Sequence, residues 1–223
     1  MATEPVVQER PVHEPVPRRM QHLPIDPDRR MVVPWFVEWL NGKPEFRASS
    51  RRKVDLAITK RLCWVCGEQL ETRFAFVAGP MCGINRTASE PPAHIECARW
   101  SARNCPFLNN PNMVRRQDEI LDNSKLRETS PGHAITRNPG VVLLWITREY
   151  EVFPDGSGSY LIQMGKPHDV EFYYRGRAAT RAEIDESIEG GIGALEAMAR
   201  QEEGAMEVLL KARRQFEKLL PKK

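Results

Sequence analysis

Cys63-Trp-Val-Cys66-Gly67 and, further along the chain, His94-Ile-Glu-Cys97 are two close pairs of metal-binding residue types. Two residues between the first two cysteines allow both thiolates to reach one ion, and Gly67 allows the chain to turn sharply behind them, as in a zinc knuckle. His94 and Cys97 lie at positions i and i+3 of a predicted helix, so they share one helix face. The two pairs supply the four ligands of a tetrahedral structural site, and the sequence predicts one Zn²⁺ bound there.

Two further cysteines leave the fourth ligand open. Cys82, between the pairs, is a candidate to replace His94, and Cys105, just past the predicted helix, is a weaker candidate. We prefer His94 because the two-pair arrangement reproduces a treble-clef zinc finger: a knuckle, a strand near residues 73–77, a turn, and a helix with ligands in its first turn. Buried inert cysteines and a redox thiol pair are the alternatives, but no strand and helix pattern of thioredoxin type is evident.

Treble clefs also form the centre of HNH nucleases, so the histidines test for catalysis. Those enzymes place a general-base histidine in the hairpin and another metal-binding histidine on the helix. No histidine lies between Cys66 and His94, and His94 cannot serve both as zinc ligand and as base. The sequence therefore favours a noncatalytic role, with a degenerate or unorthodox HNH-like endonuclease as the alternative.

Composition and charge limit the class of protein. The chain has 223 residues, 41% of them hydrophobic, and a formal net charge of +3, which gives no strong attraction to nucleic acid or to an anionic membrane. The first ten residues, MATEPVVQER, do not resemble a secretory signal, and no later segment has a membrane-spanning apolar run. We expect a cytoplasmic protein with no membrane partner, in which five cysteines, an odd number, do not form a disulfide framework.

Four segments follow from proline content and hydrophobic pattern. Residues 1–30 are rich in proline and charge and predict a disordered arm. Residues 31–108 predict the zinc-binding domain, and residues 109–139 a linker or long loop. Residues 140–223 predict a small antiparallel sheet followed by a helical pair. The predicted fold class is therefore α+β.

The last of these segments carries several local signals. Strand-like runs occur at Val141–Ile146, Tyr160–Met164 and Val170–Tyr174, and a Pro-Asp-Gly-Ser-Gly turn at residues 154–158 separates the first two. Thr180-Arg-Ala-Glu183 matches a helix-capping box. Glycines at positions 190, 191 and 193 predict an interruption between the first and second helix of the pair.

A basic cluster precedes the knuckle at the start and end of another predicted helix. It is a candidate phosphate-binding surface, although a solvated helix face explains the same pattern. We expect any nucleic-acid binding there to be weak and without sequence specificity. The cluster consists of Arg47, Arg51, Arg52, Lys53, Lys60 and Arg61.

Two tracts carry a resemblance to a known group. FVAGPMCGINRTASEPPAHIECARWSARNCPFL, residues 76–108, and EFYYRGRAATRAEIDESIEGG, residues 171–191, resemble in the same order an uncharacterised group of proteins encoded by tailed bacteriophages and prophages. The resemblance implies expression in a bacterial host cytoplasm and supplies no catalytic residue. The expected function is a noncatalytic, zinc-binding interaction module for protein or nucleic acid, and a virion or assembly component is a further alternative.

Overall fold

A computed structural model describes residues 14–111, 126–127, 140–156 and 159–222. Within these ranges the predicted α+β class is confirmed, with antiparallel sheets and a C-terminal helical pair. The strands are β1 Ile25–Asp26, β2 Met31–Val32, β3 Val37–Leu40, β4 Lys43–Ser50, β5 Phe74–Ala78, β6 Thr87–Ala88, β7 Leu126–Arg127, β8 Val142–Thr147, β9 Tyr150–Pro154, β10 Tyr160–Met164, β11 Asp169–Tyr174 and β12 Arg177–Ala178. The helices are α1 Arg51–Thr59, α2 Pro80–Asn85, α3 Ile95–Asn104, α4 Pro106–Asn109, α5 Arg181–Ala199 and α6 Ala205–Glu217.

The central sheet has the strand order β12-β11-β8-β5, and every neighbouring pair is antiparallel. All six residues of β8 are buried. Because strand side chains alternate between the two faces of a sheet, this means that both faces of β8 are covered. Helices α2 and α3 both pack on β8, and Trp145 of β8 stacks on Phe216 of α6 with ring centroids 6.5 Å apart. A continuous apolar strand is what such a position requires.

The predicted segments 31–108 and 140–223 share this sheet. Strand β5 comes from the first and β8 from the second, and Phe76 lies opposite Trp145 in the ladder between them. Both segments also contribute to one hydrophobic core. The boundary inferred from composition therefore does not separate two cores. Most of the predicted linker, including a short helix expected near residues 117–121, lies outside the described residues.

The small sheet differs from the prediction by one strand. The turn after Pro154 joins β10 to β9, whereas the sequence placed it between β8 and β10. Strand β9 was missed because Val152 and Phe153 are adjacent apolar residues, which interrupts the alternation of a half-buried strand, and because Pro154 belongs to the turn signal. Strands β9 and β10 then form a separate sheet with β6.

Residues 14–30 differ from the predicted disordered arm. They form a 3₁₀ turn at Arg18–Met20 and strand β1, which pairs with β2 just beyond the segment, and the Met20 side chain is only 1% exposed. Prolines limit regular structure of the segment's own, but Met20 and Leu23 are buried against a core built by the rest of the chain. The arm predicted for residues 1–13 lies outside the described residues.

The C-terminal helical pair is divided at a different place. The predicted capping box is confirmed: the Glu183 backbone N–H donates to Thr180 Oγ1, and the Thr180 N–H donates to the Glu183 carboxylate. Helix α5 then continues through the glycines, and the break falls near Gly204, whose φ is +76°. The helix continues because Gly191 packs closely on Met81 of α2, which stabilises the helical conformation at that point. No helix among the described residues is both long and apolar enough to span a membrane.

Candidate metal centre

The first cysteine pair lies in a tight knuckle. The backbone N–H of Cys63 donates to Glu68 O at 2.7 Å, and that of Gly67 donates to Cys63 O at 2.8 Å. Gly67 has a φ of +79°, and a Cβ there would lie 2.7 Å from the Trp35 ring, so glycine is required for both conformation and space. The knuckle therefore places Cys63 and Cys66 on one side of a closed turn.

The second pair is positioned by the edge of the central sheet. Ala75 of β5 and Ala93 exchange two backbone hydrogen bonds of 2.8 Å, which align the chain just before His94 with the sheet. The Trp64 N–H donates to Pro92 O at 3.0 Å and joins this segment to the knuckle. His94 is the N-cap residue of α3 and Cys97 lies in its first turn, as the spacing predicted.

The structure brings all four predicted ligands together. The donor atoms of Cys63, Cys66, His94 and Cys97 lie within 4.8 Å of one another, and all four residues are buried. His94 Nδ1 is 3.3 Å from Cys66 Sγ and 4.0 Å from Cys97 Sγ. A tetrahedral zinc ion with bonds of about 2.0–2.3 Å separates its ligand atoms by about 3.6–3.8 Å. The four residues thus fit a metal ion of this kind, and their thiols are not paired in disulfides.

Hydrogen bonds fix the orientation and tautomer of His94. Its Nε2 lies 2.9 Å from Gln69 O, and a carbonyl can only accept, so Nε2 carries the proton of the neutral ring and the Nδ1 lone pair faces the cluster. Such an outer partner is the usual way in which a histidine ligand is oriented. Sequence reasoning did not find Gln69, because a backbone carbonyl leaves no signal in residue type.

The protonation states of the cluster are strongly coupled. Burial opposes ionisation of Cys63, but hydrogen bonds within the cluster outweigh it and lower the pKa of this thiol. The main partners are the side chains of Cys66, Cys97 and His94, and the Cys66 backbone N–H, 3.4 Å from Cys63 Sγ, also contributes. Burial would lower the pKa of His94, but its hydrogen bonds with the Cys63 and Cys66 thiols raise it to about 10. Hydrogen bonding to Cys63 raises the pKa of Cys97. Binding of a divalent cation would therefore release protons from His94 and Cys97.

The two competing cysteines are not part of this group. Cys82 lies in α2 with its thiol partly buried, and burial raises its pKa. Cys105 caps α4, and burial raises its pKa as well. Among the described residues, Cys63, Cys66, His94 and Cys97 are the one group of His, Cys, Asp or Glu side chains close enough together to surround an ion. The geometry favours His94 as the fourth donor.

Only some side chains of the predicted basic cluster are exposed for contact with phosphates. Arg51 and Arg52 of α1, and Lys60 directly after it, are exposed and form no ion pair with a described residue. Lys53 is engaged inside the protein: its Nζ donates to Val37 O at 2.9 Å and pairs with Glu38 at 3.2 Å. Arg61 lies over two aromatic rings, those of Phe74 and Tyr150. Arg47 is in β4, and its side chain lies outside the described part of the structure.

Two residues of the N-terminal segment also contact the centre. His22 Nε2 is 3.1 Å from Cys66 O, and Arg19 pairs with Glu96, which lies between His94 and Cys97 in sequence. Sequence reasoning missed both because it assigned the segment to a disordered arm. The apolar residues Met20 and Leu23 beside them were the available signal.

The comparisons with known proteins do not identify the site. The chain matches no family model, and neither curated proteins nor solved structures gave a significant match. The interpretation of the site therefore depends on its own geometry.

Proposed function

We propose that this chain is a noncatalytic binding protein whose fold is held together by one structural Zn²⁺. The observation that carries the proposal is the group of four buried donors, Cys63, Cys66, His94 and Cys97, within 4.8 Å of one another. Three thiolates and one imidazole are a donor set that suits zinc, and four protein ligands leave no coordination position for a reacting water. In such a site the ion supplies stability and no chemistry.

The position of the centre supports a structural role. Its ligands come from the knuckle and from the start of α3. A backbone hydrogen bond from Trp64 N–H to Pro92 O also joins the knuckle to the segment before α3. An ion at this point cross-links the two elements next to the edge of the central sheet. The treble-clef assignment made from sequence is part of this proposal.

The binding surface that we propose is the exposed side of α1. Arg51, Arg52 and Lys60 offer positive charge that is paired with no described residue, which favours contact with phosphates. If all three neutralise phosphates, the logarithmic salt slope of binding is roughly −2.7. Binding of this kind is weak and insensitive to sequence.

Fluorescence anisotropy of a labelled duplex, titrated at several salt concentrations, tests this surface. We expect Arg51→Ala/Arg52→Ala to weaken binding and flatten the salt dependence without changing zinc content. The control is Lys211→Ala/Arg214→Ala, which removes the same charge from exposed positions of α6. An equal effect of both double variants would contradict a role for α1, and no binding by the wild-type chain at low salt would leave a protein as the partner.

The nuclease alternative has its own test. Plasmid incubated with Mg²⁺ or Mn²⁺ should remain uncut by the wild-type chain, because a zinc ion with four protein ligands does not activate water. Cleavage that His94→Ala abolishes while zinc is retained would support the HNH-like alternative.

From the phage resemblance we further propose expression in a bacterial cytoplasm. Co-purification with phage particles would instead indicate a virion component.

A further inference from the structure

The N-terminal strap, residues 14–24, crosses the metal centre and contacts both elements that supply its ligands. It is anchored by buried apolar side chains, of which Met20 is 1% exposed and Leu23 is 8% exposed. At its start, Glu14 pairs with Arg103 near the end of α3 at 3.0 Å. The strap is therefore packed on the same face of the molecule as the cluster.

Arg19 is the central contact of the strap. Its guanidinium pairs with Glu68, at 3.2 Å, and with Glu71, both of which follow the knuckle. It also pairs with Glu96 of α3 at 2.8 Å. One cation thus links the knuckle to the first turn of α3, which are the two elements that a metal ion would also join.

A second contact lies directly beside a ligand. His22 Nε2 and Cys66 O are 3.1 Å apart, so the His22 ring donates to the backbone of the knuckle.

With Arg19 removed, three carboxylates would face one another without the cation between them, and like charges would favour separation of the knuckle from α3.

We infer that the strap is a clasp that retains the metal ion, with Arg19 as its positioning residue. Docking of Arg19 holds the knuckle against α3 and slows escape of the ion. This inference rests on the proposed zinc site, and it adds a kinetic role for a segment that provides no ligand.

The rate of zinc transfer from the full chain to an excess of a chromogenic chelator tests the clasp. We expect Arg19→Ala to release zinc a few-fold faster, the size of effect that partly exposed ion pairs produce. The control is Arg18→Ala, a neighbouring arginine that is exposed and has no ion pair with a described residue, and it should release zinc at the wild-type rate.

A double-variant cycle separates the clasp from a general charge effect. Because Arg19 acts on α3 through Glu96, the accelerations caused by Arg19→Ala and Glu96→Gln should not add when the two are combined. Full additivity, or wild-type release by Arg19→Ala in a chain that binds zinc, would overturn the clasp and leave the zinc site intact. If Arg18→Ala accelerates release as much as Arg19→Ala, the clasp is also wrong. If the wild-type chain binds no zinc, the zinc proposal fails first.

Discussion

Both nitrogens of His94 have partners, which makes it the residue through which the ligand set can be tested. His94→Ala leaves three thiolates and removes the fourth ligand, so we expect the purified protein to lose zinc to a mild chelator. His94→Cys supplies a fourth thiolate and should retain the ion. Cys82→Ser is the control, because Cys82 lies outside the cluster. Zinc loss in Cys82→Ser, with zinc retained in His94→Ala, would place Cys82 in the ligand set instead.

Met20 tests whether the strap belongs to the core. Its side chain is almost fully buried, so Met20→Ala should lower the free energy of unfolding by about 2–5 kcal/mol, as measured by urea denaturation. Ile25→Ala is the control, because that side chain is 64% exposed and its removal should cost little. Equal midpoints for Met20→Ala and the wild-type chain would show that residues 14–24 do not dock in solution.

The four ligands could be predicted at this scale because their chemistry is coded by residue type and spacing. Cys63 and Cys66 can reach one ion only with a short spacer, and the helix period brings Cys97 beside His94. Arg19 and His22 could not be predicted, because their partners are distant in sequence and appear only after the chain has folded. Lys53 shows the opposite error: its charge predicted phosphate binding, yet the fold engages it with Glu38.

Among the elements, α5 depends on its capping box. A hydrogen bond from Arg177 lowers the pKa of Glu183 to about 2, so its ionised form stabilises the fold fully above the ordinary value of 4.5, and this contribution is lost as the pH falls toward 2. At pH 7 we expect Glu183→Ala to lower the free energy of unfolding by about 1 kcal/mol. Glu186→Ala, an exposed glutamate of the same helix without a described partner, is the control and should change it by less than half as much. Equal effects would show that the box contributes nothing.

Two helical glycines should respond to alanine with opposite sign. A Cβ on Gly83 of α2 would lie 2.5 Å from Leu143 Cδ2 and would also meet the Phe216 ring, so Gly83→Ala should destabilise the fold by about 1–3 kcal/mol. A Cβ on Gly193 of α5 meets nothing within 4 Å, and Gly193→Ala should stabilise it by about 0.5–1 kcal/mol. Thermal unfolding of the two variants measures both. Stabilisation by both would contradict the close packing of α2 on α6.

Elements with a strong local signal could be predicted, and those defined by tertiary contacts could not. Helix α1, which the sequence predicts before the knuckle, begins directly after Ser50 and buries Val54 and Ala57 at helical spacing. Helix α5 could be predicted only in part. Its glycines predict a break, but Gly191 packs closely on Met81 and the helix continues. Strand β9 contains the strand-forming residues Tyr150, Val152 and Phe153, but their spacing breaks the alternation on which the prediction depended.

For the molecule as a whole, segments that are separate in sequence share one sheet and one core. Strand β8, far along the chain, pairs with β5 from the segment of residues 31–108, and its six buried residues form the middle of the core. No local pattern indicates which distant strand will pair with which, so the division into two units could not be corrected from sequence. The metal centre lies beside this sheet, at the edge marked by Ala75 and Ala93.

Elemental analysis of the full chain, purified natively with its thiols reduced, tests the central claim most directly. The account predicts one zinc ion per chain, and loss of both zinc and cooperative unfolding in Cys63→Ser, Cys66→Ser and Cys97→Ser. The reason is that a structural zinc ion contributes about 10–16 kcal/mol of apparent binding energy in finger peptides, more than the net stability of most small domains. A wild-type chain that is folded, reduced and free of zinc would contradict the account.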